Sequence, residues 1–143
     1  MAKILWVEDE ARDQLIEYVA PLMRDGHTID IVEDASEGYQ RIKESDYDVV
    51  IFDLLIKAGP DFKMDEEYPG LALLKKIFGN KNTEISLNKN SVMVFTVVTN
   101  PVIIQRIKDL GIERIKVKER MEKTKLKMFV DEILNANKIE DKN

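Results

Sequence analysis

Four stretches of this sequence deliver a chemically capable residue at the end of a short apolar run. KILWV leads into Glu8, Asp9 and Glu10, DVVIF ends on Asp53, VMVF ends on Thr96, and IKV ends on Lys118. If the runs are parallel strands, these residues gather at the carboxyl ends of a sheet, the edge where open α/β folds bind ligands. Carboxylates crowded in a medium of low effective dielectric repel one another and call for a divalent cation. With no cysteine and with His27 the single histidine, the ligands must be mainly oxygens, which favours a hard ion such as Mg2+. Mg2+ uses one or two carboxylates, keeps several waters and leaves a position for a phosphoryl oxygen. In that setting Asp53 is a candidate carboxylate nucleophile toward phosphorus, with Thr96 and Lys118 placed to stabilise the transferring oxygens. The expected product is an acyl phosphate.

The elements that must position these residues follow from hydrophobic period. Short apolar runs alternate with segments of helical period, the pattern of βαβ units and a parallel sheet covered on both faces. Strands are expected at Lys3 to Val7, Thr28 to Val32 (the weaker, edge-like one), Asp48 to Phe52, Val92 to Phe95 and Arg114 to Val117. The first helix is expected from about Ala11 to Arg24, with Leu15, Ile16, Val19, Leu22 and Met23 on its apolar face and Asp25-Gly26 as its stop. A second spans Ala35 to Lys43 with Tyr39 and Ile42 inward, and a third resumes at Gly70 with Leu71, Leu73, Leu74 and Ile77. Pro101 starts a fourth, with Ile103, Ile104, Ile107 and Leu110 on one face and Gly111 at its end. Thr124 is expected to cap a fifth that carries Leu126, Phe129, Val130, Ile133 and Leu134. Residues 1–137 read as one domain and 138–143 as a frayed tail. Lys57 to Pro69 is a long polar loop expected to be mobile, and Gly79 to Asn90 is a second polar stretch.

Bulk properties narrow the function classes. A chain of 143 residues suits one domain with a real core. Hydrophobic residues at 44% against 34% charged set it apart from disordered and membrane proteins. A net charge of -5 opposes a nucleic-acid-binding surface, which needs clustered Lys and Arg. No apolar run approaches the roughly 20 residues that cross a bilayer, and the start MAKILWVEDE lacks the form of a signal peptide, so the expected location is cytoplasmic. Trp6 alternates within a buried strand and reads as core, His27 as an ordinary surface residue, and Asp61, Asp65, Glu66 and Glu67 as a solvated acidic loop without calcium-loop spacing.

Taken in order, the motifs resemble the receiver domains of two-component response regulators, over nearly the whole chain. KILWVEDE is similar to that family's first strand with its acidic pair, DVVIFDLLI to the strand ending in the phosphorylated aspartate, GLALLKKI to the helix that follows, VMVFT to the strand ending in the switch hydroxyl, and IKVK to the strand ending in its lysine. The resemblance implies a flavodoxin-like, doubly wound (βα)5 fold with strand order 2-1-3-4-5. It implies Asp53 as phosphoacceptor, and Mg2+ held by Glu8, Asp9, Asp53 and the backbone carbonyl of Leu55. Thr96 and Lys118 would act on the phosphoryl group. The implied partners are a histidine kinase or phosphotransfer protein upstream and another protein downstream, with the chain a monomer or weak homodimer and no enzyme beyond slow self-dephosphorylation.

The departures are equally specific. Glu119 stands where the family usually has a proline, Val97 where it keeps a small residue, and Ile115 where many members carry an aromatic switch residue. The loop from Lys57 to Pro69 is longer than usual, and Arg120 to Lys123 adds residues before the last helix. Val97, Ile115 and Glu119 support a competing function, a degenerate receiver that serves as a phosphorylation-independent interaction module. Blander roles also exist: an acidic helix start at Glu8 to Glu10, a turn at Asp53, strand packing at Thr96 with Thr99 nearby, and a solvated cation at Lys118 within Arg114, Lys116 and Arg120. A magnesium hydrolase or nucleotide-binding domain is disfavoured by the lack of GxGxxG, P-loop and DxD motifs. A flavodoxin-type cofactor protein would need a neutral phosphate loop where EDE stands.

Overall fold

The computed structural model describes residues 1–9, 16–62, 68–79, 85–118 and 125–141. Its strands are β1 (Lys3–Val7), β2 (Thr28–Val32), β3 (Val49–Phe52), β4 (Val92–Thr96) and β5 (Ile115–Val117). Its helices are α1 (Ile16–Arg24), α2 (Ala35–Glu44), α3 (Pro69–Phe78), α4 (Pro101–Asp109) and α5 (Lys125–Asp141), with a short 3-10 turn at Lys89–Ser91 before β4. The sheet is parallel throughout, in the order β2-β1-β3-β4-β5. This is the flavodoxin-like arrangement, in which the order reverses beside β1.

Register follows burial. β1, β3 and β4 lie inside the sheet with helices over both faces, and Ile4 through Val7, Val49 through Phe52, and Val92 through Thr96 are all buried. Near-continuous apolar runs are what such strands require. Val7 pairs with Phe52 and Val32, Phe52 with Val94, and Thr96 with Val117, so the carboxyl ends of the strands are level. Side chains alternate between two cores. Leu5, Val7, Val50, Phe52 and Val94 face α2, α3 and α4, whereas Ile4, Trp6, Val49, Ile51 and Phe95 face α1 and α5. Each large buried side chain contributes roughly 1.5–3 kcal/mol.

Local chemistry sets the helix ends. Asp34 caps α2 by accepting from the Glu37 amide at 2.7 Å, and Asn100 caps α4 by accepting from the Val102 amide at 2.9 Å, with Pro101 in the first turn. Several sequence expectations move. α3 begins at Pro69, inside the expected loop, because proline fits a first helical turn. β3 begins one residue after Asp48, whose carboxylate instead accepts from the Lys3 amide at 2.8 Å. α1 buries Val19 and Leu22 but leaves Ile16 47% and Met23 61% exposed, a narrower stripe than expected, and it holds Pro21 in its interior. The last helix runs to Asp141, past Lys138 where the expected tail begins. The start of the first helix at Ala11, Leu15 in its stripe, the Thr124 cap, the insertion at Arg120 to Lys123 and the acidic residues Asp65, Glu66 and Glu67 lie outside the described residues.

The polar loop after β3 is docked at its near end. Asp34 and Lys57 form a parallel bridge, and the Lys57 and Ala58 carbonyls accept from the Ala35 and Ser36 amides at 2.9 and 3.1 Å. Two amides of the first turn of α2, which have no partner inside the helix, are satisfied this way. The near end of the expected loop is thus hydrogen-bonded to α2 through residues 57, 58 and 61.

Candidate functional site

The level strand ends bring the chemically capable residues together at one edge. Glu8 follows β1 and donates its amide to the Val32 carbonyl at 2.9 Å; Asp53 follows β3 and donates its amide to the Val7 carbonyl at 3.0 Å. Backbone pairing thus extends through both residues and aims their side chains from a fixed ladder. Exposure is 0% for Glu8, 3% for Asp53, 0% for Thr96 and 9% for Lys118, so ionisable groups lie as deep as the apolar core. Such burial is costly unless charges are paired.

The pairing is visible. The Lys118 ammonium donates to a Glu8 carboxylate oxygen and to Asp53 Oδ2, the latter at 2.9 Å. Asp53 Oδ1 accepts from the Leu55 amide at 3.3 Å. Asp9, half-buried, completes a group in which one oxygen each of Glu8, Asp9 and Asp53 lie within 4.8 Å of one another. Among the described residues, one ammonium stands against three carboxylates. Burial first, and then the charge of Asp53, push the Glu8 carboxyl up from the usual 4.5 to about 8, against the opposing pull of Lys118. Burial would lower the Lys118 ammonium, but the charges of Asp53 and Glu8 outweigh it and hold its pKa above the usual lysine value.

That imbalance and the donor set together fit a hard divalent cation. The three candidate ligand groups are all oxygen, and a cation would stabilise the anionic form of Glu8 that burial disfavours. Glu8, Asp9 and Asp53 are therefore the side chains suited to Mg2+.

Thr96 and Leu55 occupy different situations. Thr96 ends β4 on the same edge, and its hydroxyl oxygen accepts from the Val98 amide at 3.3 Å. Leu55 extends a 43% exposed side chain beside the site while its amide holds Asp53. Val97, next to Thr96, is 39% exposed, and Ile115 is half-buried against the α2–α4 core. Glu10 and Glu119 lie outside the described residues. His27, read as an ordinary surface residue, is half-buried and accepts from the Ala2 amide through Nδ1 at 3.1 Å, far from this edge in the fold.

Sequence reasoning missed Gly70. Its amide donates to the Leu54 carbonyl at 3.0 Å, and a Cβ there would lie 2.1 Å from the Asp53 carbonyl oxygen and 2.5 Å from the Leu54 Cα. Only glycine lets α3 rest on the backbone of Asp53. The signal was present in Pro69-Gly70, where a good helix start is followed by a poor helix former.

No protein-family model matches this chain, and no curated protein does. Solved structures match along nearly its full length. A CheY-like response regulator receiver domain protein from Methanospirillum hungatei JF-1 is 20% identical with a TM-score of 0.74, covering 98% of each chain. The signal receiver domain of a putative Luxo repressor protein from Vibrio parahaemolyticus is 24% identical with a TM-score of 0.72, covering 98% of this chain and 95% of that one. The signal receiver domain of a signal transduction histidine kinase from Syntrophus aciditrophicus is 20% identical with a TM-score of 0.70, covering 95% and 92%. The chain has the fold of response-regulator receiver domains.

Proposed function

We propose that this chain is a receiver in a two-component phosphorelay, taking a phosphoryl group from a phosphohistidine onto Asp53 and changing its binding to a downstream protein. The observation that carries this reading is the Asp53 carboxylate: buried, held at one oxygen by Lys118 and at the other by the Leu55 amide, and set beside Glu8 and Asp9. Glu8, Asp9, Asp53 and the backbone carbonyl of Leu55 would hold Mg2+. When bound, that ion supplies positive charge beside the transferring oxygens.

The chain's own residues account for the rest. A carboxylate oxygen of Asp53 attacks phosphorus, the P–N bond breaks and the imidazole leaves protonated, which gives an acyl phosphate. Lys118 orients the carboxylate before transfer and neutralises oxygens on the phosphoryl group afterwards. The Thr96 hydroxyl, whose oxygen accepts from the Val98 amide, donates its O–H to a phosphoryl oxygen, which would draw the β4–α4 connection toward the site and alter a partner surface. Upstream, the donor is a histidine kinase or phosphotransfer protein. No helix among the described residues is long and apolar enough to cross a membrane.

Intact-mass measurement after incubation with acetyl phosphate and Mg2+ tests the reading. Wild type is expected to gain the mass of one phosphoryl group and Asp53→Asn none. A second reading, a receiver that binds partners without phosphorylation, draws support from the bulk of Val97 directly after Thr96, where its side chain is 39% exposed. An unmodified wild type that also gives no Trp6 fluorescence response to beryllofluoride, a phosphoryl mimic, would decide for it.

A further inference from the structure

Asp53 is joined by a very short path to the start of α2. The Leu54 carbonyl is held by the Gly70 amide, and three residues further on the Lys57 carbonyl is held by the Ala35 amide. Between these anchors stand only Leu55 and Ile56, and Ile56 is buried in the core. Of these two Leu55 is the exposed one, at 43%, and its amide is the group that bonds to Asp53 Oδ1. A segment this short has little slack, so a displacement at Leu55 passes to Lys57 and Ala58.

At the far end, Ser36 forms a latch. Its hydroxyl donates to the Ala58 carbonyl at 3.2 Å and accepts from the Asp61 amide at 2.8 Å, while its own amide donates to the same Ala58 carbonyl at 3.1 Å. Gly59 completes the fit with φ +80°, and a Cβ there would lie 2.6 Å from Ser36 Oγ and 2.7 Å from Asp34 Oδ1. A buried serine hydroxyl with both of its roles spent on one loop serves that loop rather than its own helix.

We infer that Ser36 is a positioning residue for Asp53: through residues 54–58 it sets the Leu55 amide against the acceptor carboxylate, so that occupancy at Asp53 and order at the amino end of α2 are coupled. This rests on the reading of Asp53 as phosphoacceptor and adds to it a route on the α2–α3 side of the sheet, apart from Thr96 and α4. By reciprocity, an occupied Asp53 tightens the latch, and an opened latch weakens binding at Asp53.

The test measures beryllofluoride affinity in the presence of Mg2+ for wild type, Ser36→Ala, Gly59→Ala and the double variant, with amide hydrogen exchange on the same proteins. Beryllofluoride is expected to slow exchange at the Ala35 and Ser36 amides of wild type about fivefold or more. Each single variant should lose about threefold or more in affinity, and the double variant no more than the worse single one, because both open one latch. Ile42→Val, a truncation in the buried face of the same helix, controls for lost stability: it should lower Tm and leave the affinity unchanged. Wild-type affinity in Ser36→Ala, or unchanged exchange at Ala35 and Ser36 while β4 and α4 respond, overturns the coupling and leaves Asp53 as acceptor. Failure of wild type to bind beryllofluoride at all overturns both.

Discussion

At the amino end of the sheet, polar groups meet in single pairs near the surface; at the carboxyl end, charges are buried in unequal number. The amino end pairs the Ala2 amide with His27 Nδ1, the Lys3 amide with Asp48, Asn137 with Ser91, and the Tyr47 hydroxyl with Asp30. Burial and the Asp30 hydrogen bond push the Tyr47 phenol up to about 12, which keeps it neutral and a donor at any physiological pH. A cavity of about 400 Å3 there is lined mostly by small or neutral groups such as His27, Asn88, Ser91 and Asn137. Among the described residues, the carboxyl end confronts three carboxylates with one ammonium. Paired polar groups are cheap to bury, whereas an unbalanced buried cluster costs stability and perturbs the pKa values of its members.

Removing the Lys118 ammonium should separate the two ends most sharply. Lys118→Met leaves Glu8 and Asp53 buried side by side, and is expected to lower stability by about 3 kcal/mol at pH 8 in urea unfolding. It should also abolish beryllofluoride binding; a variant as stable as wild type would mean that the cluster carries no such strain. Gly70→Ala comes next, at about 2 kcal/mol, because the added methyl must displace the Asp53 backbone or α3. Weaker Mg2+ binding should accompany that loss, and a loss of stability with unchanged Mg2+ affinity would confine Gly70 to packing.

The pH dependence has a definite sign. With its folded pKa raised from 4.5 to about 8, Glu8 contributes stability that is full below 4.5 and is lost as pH rises toward 8. Stability in EDTA should therefore fall between pH 6 and 8, by at most about 1.4 kcal/mol per unit, and Mg2+ should reduce the fall. Apparent Mg2+ affinity should rise over the same interval, with proton release seen in calorimetry in buffers of different ionisation enthalpy. A flat affinity profile would leave Glu8 out of the cation site. The smallest effect belongs to the amino end: His27→Gln should cost about 1 kcal/mol or less and leave Mg2+ affinity unchanged.

Much of the fold could be read locally because each part of the pattern is local. An apolar run of the right length followed by an acid is a strand end wherever it packs, and Asn100-Pro101 starts a helix by its own chemistry. The same holds for Glu8, Asp9, Asp53, Thr96 and Lys118 as strand-end residues. Helix faces were read less well, since a 3.6-residue period marks a stripe without its width, and Ile16 and Met23 fell outside the stripe that α1 buries.

The residue types along the chain were enough to place five strands and a gathering of acids at one edge, because period and polarity are properties of the residues themselves. The tertiary structure alone decided that Lys118 reaches Glu8 across 110 positions, that Gly70 touches the backbone of Asp53, and that Ser36 latches the loop leaving it. Coulomb energy and steric contact depend on distances in space, and the packing of α2 and α3 sets those distances long after the sequence separation has lost any bearing on them.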